Sequence, residues 1–198
     1  MTKNLKLGIM MFLQYAVWGA WMPVTSRFLT ASVMDGGLGF TDSQMAIILG
    51  FAASIGALSA PFIAGQVADR YFSTEKILAF LVISGGLVKW YTALQTDFNA
   101  WLYLSILYSI LYMPTLALSN SIAFAHLEDS ENNFPKIRAW GTIGWIVATW
   151  TFPMIWLQTD LGFSFMPPFL IGSEVEGVVN RLGDSFKFSA IISIIYGF

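Results

Sequence analysis

The sequence predicts an all-α fold: a bundle of helices that crosses a membrane several times. Three observations carry this prediction. Only 11% of the 198 residues are charged, against about 25% in ordinary soluble domains, and the mean hydropathy is +0.65. Charge is absent between Lys6 and Arg27, between Asp42 and Asp69, between Asp97 and Glu128, and between Arg138 and Asp160. A fifth stretch, Ile77 to Thr96, carries Lys89 alone. Each stretch is close to the ~20 apolar residues that a helix needs to cross a bilayer core. In lipid the backbone must satisfy its own hydrogen bonds, which selects helices.

The first helix is expected at about residues 6–30. Its apolar run is too long for a signal-peptide core and lacks a small-x-small cleavage site, so it reads as retained. The second, about 42–67, carries small residues four apart: Ala53 and Ala57, then Gly56, Ala60, Ala64 and Ala68. Such faces let backbones approach closely in lipid. Pro23 and Pro61 fall inside these two helices, where a membrane helix tolerates proline as a kink. The third, fourth and fifth helices are expected at about 75–95, 99–125 and 137–157. An outer loop, residues 158–186, contains Pro167-Pro168. A sixth apolar run begins at about 187; from Phe188 to Phe198 it offers 11 residues. These span only about 16 Å at 1.5 Å per residue, about half of a ~30 Å core. The sequence therefore reads as a piece that stops inside its sixth helix.

Basic residues set the orientation. With the N-terminus cytoplasmic, the inner side holds Lys3, Lys6, Arg70, Lys76, Lys136 and Arg138, and the outer side Arg27, Arg181 and Lys187. The inner excess is what the positive-inside rule expects. A net charge of -2 suggests no nucleic-acid partner. The absence of cysteine excludes disulfides, zinc–thiolate sites and thiol nucleophiles. There is no His-Glu-x-x-His, no Gly-rich phosphate loop and no Gly-x-Ser-x-Gly elbow, so neither an enzyme nor a cofactor is expected.

Polar side chains in lipid usually face the bundle interior or a wet cavity, and here they line up. Gln14, Trp18, Trp21 and Thr25 share one face of the first helix. Ser105, Tyr108, Tyr112, Thr115 and Ser119 share a face of the fourth, with Asn120 beside it. Arg138, Thr142, Trp145 and Thr149 share a face of the fifth. Rings that stack, beside hydroxyls and amides that hydrogen-bond, suit a small, flat, polar solute. The alternatives are interfacial belts for Trp21 and Tyr108, a structural interhelical bond for Gln14, and a positive-inside anchor for Arg138. Lys89 is expected to snorkel to the outer interface; a partner within the bundle is the alternative. His126 reads as a helix-end residue.

Several segments resemble one family. Gly65-Gln66-Val67-Ala68-Asp69-Arg70 resembles the start of the G-x-x-x-D-R loop motif of the major facilitator superfamily, with Gly65, Asp69 and Arg70 in the motif positions. The continuation Tyr71 to Lys76 departs from that motif. Phe12-Leu13-Gln14 with Trp18-Gly19-x-Trp21, Tyr112-Met113-Pro114-Thr115-Leu116, and Arg138-x-Trp140-Gly141-Thr142-Ile143-Gly144 are similar to the bacterial nucleoside:proton symporter family within it. The resemblance implies twelve helices in two six-helix halves, with substrate near the midplane between them. It implies that this chain is the N-terminal half, in a bacterial cytoplasmic membrane, and lacks the C-terminal half. It also implies that Arg138, Thr142 and Trp145 contact the nucleoside; the family commonly has Phe at the position of Trp145. Gln14, Trp18, Tyr112, Thr115 and Asn120 are expected to line the cavity. The proton-coupling acid belongs to the C-terminal half. The alternative is a transporter of another small polar solute, such as a sugar, on the same scaffold.

Overall fold

A computed structural model describes residues 2–67, 73–166 and 170–198. The positions singled out at Ala68, Asp69, Arg70, Tyr71, Phe72, Pro167 and Pro168 lie outside the described residues.

The first helix is two helices, α1 (Lys3–Gly19) and α2 (Met22–Thr30). The expected continuous helix fails for a local reason. Pro23 has no N–H, and its ring conflicts with the carbonyl four residues back, at Gly19. The chain breaks there, and Pro23 becomes a first-turn residue of α2, where a missing N–H costs nothing. Trp21 at the break has φ -114° and ψ -34°. A short 3-10 turn, Val33–Asp35, follows, capped by Ser32, whose Oγ accepts from the Met34 N–H at 3.2 Å.

The second helix starts with a capping box. Thr41 Oγ1 accepts from the Gln44 N–H at 3.2 Å, and Gln44 Oε1 accepts from the Thr41 N–H at 2.9 Å. It runs through α3 (Asp42–Ala46), a π-helical turn (Ile47–Phe51), α4 (Ala52–Phe62) and a second π-helical turn (Ile63–Val67) that follows Pro61 closely. Gly65 lies in that last turn. α5 (Thr74–Thr92) and α6 (Phe98–His126) fall where expected, and Asp97 caps α6 by accepting from the Ala100 N–H at 3.0 Å.

α7 spans Ser130–Phe152 and continues through a π-helical turn, Pro153–Leu157. It starts seven residues before the expected 137, because Asp129 caps it and Pro135 sits early enough to disturb little. The expected outer loop holds structure of its own. Strands β1 (Gln158–Phe163) and β2 (Leu170–Glu174) pair antiparallel, with an irregularity between Thr159 and Gly162 where Asp160 takes φ 56°. A short helix α8 (Val178–Leu182) leads into α9 (Asp184–Tyr196). The architecture among the described residues is thus an all-α bundle with one added hairpin.

Among the described residues, three helical stretches are long and apolar enough to cross a membrane: Lys3–Thr30, Asp42–Gly65 and Phe98–His126. α1 packs on α7, α4 on α6, and α5 on both α6 and α9. One core at the N-terminal end of α1 joins Leu7, Met11, Leu78, Leu118 and Ile137. A second, toward the hairpin, joins Phe28, Trp101, Phe152 and Phe186. The α1–α7 seam is set by glycine. A Cβ on Gly144 would overlap the Phe12 carbonyl, and one on Gly19 would lie 2.8 Å from the Trp145 carbonyl. The two backbones touch there, which fixes where the rings of both helices sit.

Candidate functional site

Arg138, Thr142 and Trp145 recur at i, i+4 and i+7 along α7, so they share a face. The structure brings all three to one pocket of about 400 Å³, together with Tyr15, Trp18 and Met22 of the α1–α2 segment. The Arg138 guanidinium lies over the Tyr15 ring at 4.0 Å. Gly141 makes room for that stack, since a Cβ there would sit 2.6 Å from the Tyr15 ring. Trp145 meets Trp18 edge-to-face, with centroids 5.5 Å apart. Thr142 is exposed toward the open side. The pocket offers a forked cation, a hydroxyl and two indoles, the parts that hold a flat ring and a polar edge together.

Gln14 and Thr115 lie behind the wall and not on it. Gln14 is fully buried, and its Nε2 donates to Thr115 Oγ1 at 2.8 Å. The Tyr112 hydroxyl donates to the Gln14 carbonyl at 2.6 Å, and Thr115 Oγ1 donates to the Tyr112 carbonyl. These bonds join α1 to α6 as an interhelical network, the structural alternative for Gln14. The reason is elementary: an amide inside apolar packing must find a partner, and Thr115 is the one across the seam. Asn120 is half-buried, lines neither cavity, and leaves its Oδ1 without a partner. Tyr112 and Trp18 do face a cavity.

That second cavity, about 340 Å³, lies between the α1–α2 segment, the second helix (Ile48, Leu49, Ala53), α5, α6 and α9, and includes Trp18, Trp21, Lys89, Tyr108 and Tyr112 in its wall. Trp18 and Met22 belong to both cavities. The expectation that Lys89 snorkels outward is wrong. Lys89 is 4% exposed, and its Nζ sits 3.5 Å from the ring centroids of both Trp21 and Tyr108, with Phe186 at 5.5 Å. Burying an ion costs several kcal/mol, whereas a desolvated cation–π contact returns roughly 2 kcal/mol. The helix break at Trp21 turns its indole toward α5. A signal for this was present: Leu78, Val82, Gly85 and Lys89 stand at i, i+4, i+7 and i+11, and all four are buried.

A membrane-spanning bundle whose buried polar faces open into solute-sized cavities has the design of a transport protein. Residues 1–181 match the family described as Nucleoside H+ symporter, and the chain belongs to that family. It is 40% identical over 148 residues to the putative nucleoside transporter YegT of Escherichia coli (strain K12), covering 75% of this chain and 33% of that protein. It is 33% identical over 164 residues to the xanthosine permease of the same organism, covering 80% of this chain and 37% of that one. The crystal structure of nucleoside transporter NupG superposes with a TM-score of 0.80 at 25% identity, over 100% of this chain and 43% of that chain. The chain thus spans about a third of the length of these curated relatives. It is an integral membrane protein of a transporter family, and its relatives are permeases, not enzymes.

Proposed function

We propose that this chain forms the N-terminal six-helix half of a nucleoside importer driven by proton symport, in the bacterial cytoplasmic membrane with its N-terminus inside. The observation that carries the reading is the convergence of Arg138, Thr142 and Trp145 with Trp18 on one open pocket. Arg138 and Thr142 bond the polar edges of the nucleoside, and Trp145 stacks on its base. The pocket is open on one side, where the part of the relatives that this chain does not match supplies the opposite wall. Alternating access then rocks the two halves around the site. The helical stretches between the loops carry no Asp or Glu at membrane depth, so the proton-coupling acid is assigned to that further part. Family membership favours nucleosides over the sugar alternative.

The test is uptake of labelled uridine by cells that express the whole transporter and lack other nucleoside carriers. Arg138→Ala removes charge-assisted bonds and is expected to lower uptake about tenfold to a hundredfold at equal membrane abundance. Undiminished uptake by this variant, or competition by hexoses as strong as by adenosine, would overturn the reading.

A further inference from the structure

Arg138 is the charge of the pocket that Thr142 and Trp145 share, and no anion holds it in place. Among the described residues no carboxylate pairs with it, and the hydrogen bonds that arginines donate belong to Arg27 and Arg181. A side chain this long loses much rotamer freedom when a ligand fixes it. Left loose, its ordering would subtract from binding.

Tyr15 supplies the hold. The guanidinium carbon lies 4.0 Å from the centre of its ring, well within the range of a cation–π contact. The ring has little freedom of its own. It packs against the core that includes Met11 and Ile137, and Gly141 closes against it. A Cβ at Gly141 would lie 2.6 Å from the Tyr15 ring and 2.8 Å from Arg138 Nη1. Gly141 and Gly144 stand three apart on α7; the first admits this ring and the second the Phe12 carbonyl. Phe12 and Tyr15 also stand three apart on α1, so one register of the seam makes both contacts. A carboxylate in place of Tyr15 would hold the arginine too, but through the fork itself, by two parallel N–H···O bonds. A ring face attracts the charge and offers no lone pair, so the five N–H groups stay available.

We propose that Tyr15 is a positioning residue: its ring face keeps Arg138 ordered, with its N–H groups uncommitted, before a substrate arrives. This rests on the reading of Arg138 as a nucleoside contact and adds a residue to which that reading gives no role. The hydroxyl of Tyr15 plays no part in it; the ring does.

The experiment is a cycle of Tyr15 and Arg138 variants in cells expressing the whole transporter, with uridine uptake read as KM and maximal rate at measured membrane abundance. Tyr15→Leu is expected to raise KM about fivefold, the size of a partly exposed cation–π contact, and to change the maximal rate less than about twofold. Tyr15→Phe keeps the ring and is expected to keep the wild-type KM. In the Arg138→Ala background, Tyr15→Leu is expected to change uptake less than about twofold, because the ring then has nothing to hold. Should Tyr15→Leu fail to reach the membrane, Tyr15→Met, which fills more of the space of the ring, takes its place with the same pattern expected. An unchanged KM in Tyr15→Leu, beside a loss in Arg138→Ala, overturns this inference alone. Equal losses from Tyr15→Leu in both backgrounds overturn it too, since the ring would then act on substrate or packing without Arg138. A Tyr15→Phe variant as impaired as Tyr15→Leu assigns the effect to the hydroxyl and overturns it as well. Undiminished uptake by Arg138→Ala overturns the nucleoside reading together with the inference.

Discussion

Thr115 can accept from the Gln14 amide N–H because its own proton goes to the Tyr112 carbonyl, which leaves its lone pairs free, while the Gln14 Oε1 finds no partner among the described residues. The network is therefore directional, and its parts are not equivalent. Thr115→Val orphans the Gln14 N–H in a dry seam. The expected cost is about 1 kcal/mol, or about 2–4 °C in the detergent melting midpoint. Adding Gln14→Leu should recover part of that loss, because removing both partners leaves no unsatisfied donor. A double variant less stable than Thr115→Val would show that the amide has another partner. At this scale the sequence was partly legible. The spacing of Arg138, Thr142 and Trp145 placed them on one face, and they do meet in one pocket. Lys89 was misjudged because its partner rings, Trp21 and Tyr108, lie on other helices, and Trp21 reaches it only through a helix break. A stripe such as Leu78, Val82, Gly85 and Lys89 marks a face but does not say what that face meets.

Helix existence was legible from uncharged length, while helix interruptions and seams were not. Pro23 announced a kink, but whether it bends or breaks the helix depends on how the freed Gly19 carbonyl and its neighbours pack against α7. The hairpin at β1–β2 was invisible because its pairing joins residues across a turn, with little hydrophobic alternation to mark the strands. Two predictions belong to elements. Gly144→Ala forces a methyl into the Phe12 carbonyl and should cost about 1–3 kcal/mol as overpacking. Gly50→Ala meets nothing within 4 Å and should be neutral. Equal melting midpoints for both variants would refute the α1–α7 contact. The second concerns the hairpin, tied to α2 by Arg27 donating to both Glu174 oxygens. That hydrogen bond, then the charge of Arg27, holds the Glu174 carboxyl below its ordinary value. A depressed carboxylate pKa adds stability above the unfolded value, and that stability is lost as pH falls through the folded value. Both side chains are about half exposed, so the pair is worth less than about 1 kcal/mol. Glu174→Gln should lower the midpoint slightly at pH 7, and the difference from wild type should shrink as pH falls below the ordinary carboxylate range. A difference that grows on acidification would reverse the assignment.

For the molecule as a whole, the pocket at Arg138 gains meaning from its direction. α1 and α7 meet backbone to backbone at Gly19 and Gly144, and Trp18 and Met22 line both cavities. Such a half presents a wall, and the membrane orientation decides from which compartment that wall is first reached. In the proposed orientation, Lys3, Lys6, Lys76, Lys136 and Arg138 lie on the cytoplasmic side and Arg27, Arg181 and Lys187 on the outer side, the inner excess that the positive-inside rule expects. The chain contains no cysteine, so one introduced cysteine reports its own side without background from this half. Cysteine at Asp35 or at Ser164, in the turn after β1, should react in intact cells with a membrane-impermeant maleimide. Cysteine at Asn4 or at Glu128, between α6 and α7, should react only after the membrane is opened. The reverse pattern would invert the half, and with it the side from which the Arg138 pocket is reached. Labelling of all four sites in intact cells would mean that α6 does not cross, although its 29 residues exceed what a bilayer core requires. Because α6 carries Tyr108 and Tyr112 of one cavity and the Thr115 partner of Gln14 in α1, its crossing holds that cavity at membrane depth. The pair Ser164 and Glu128 therefore tests the orientation of α7, and the pair Asp35 and Glu128 tests the passage of the cavity-forming helices through the bilayer.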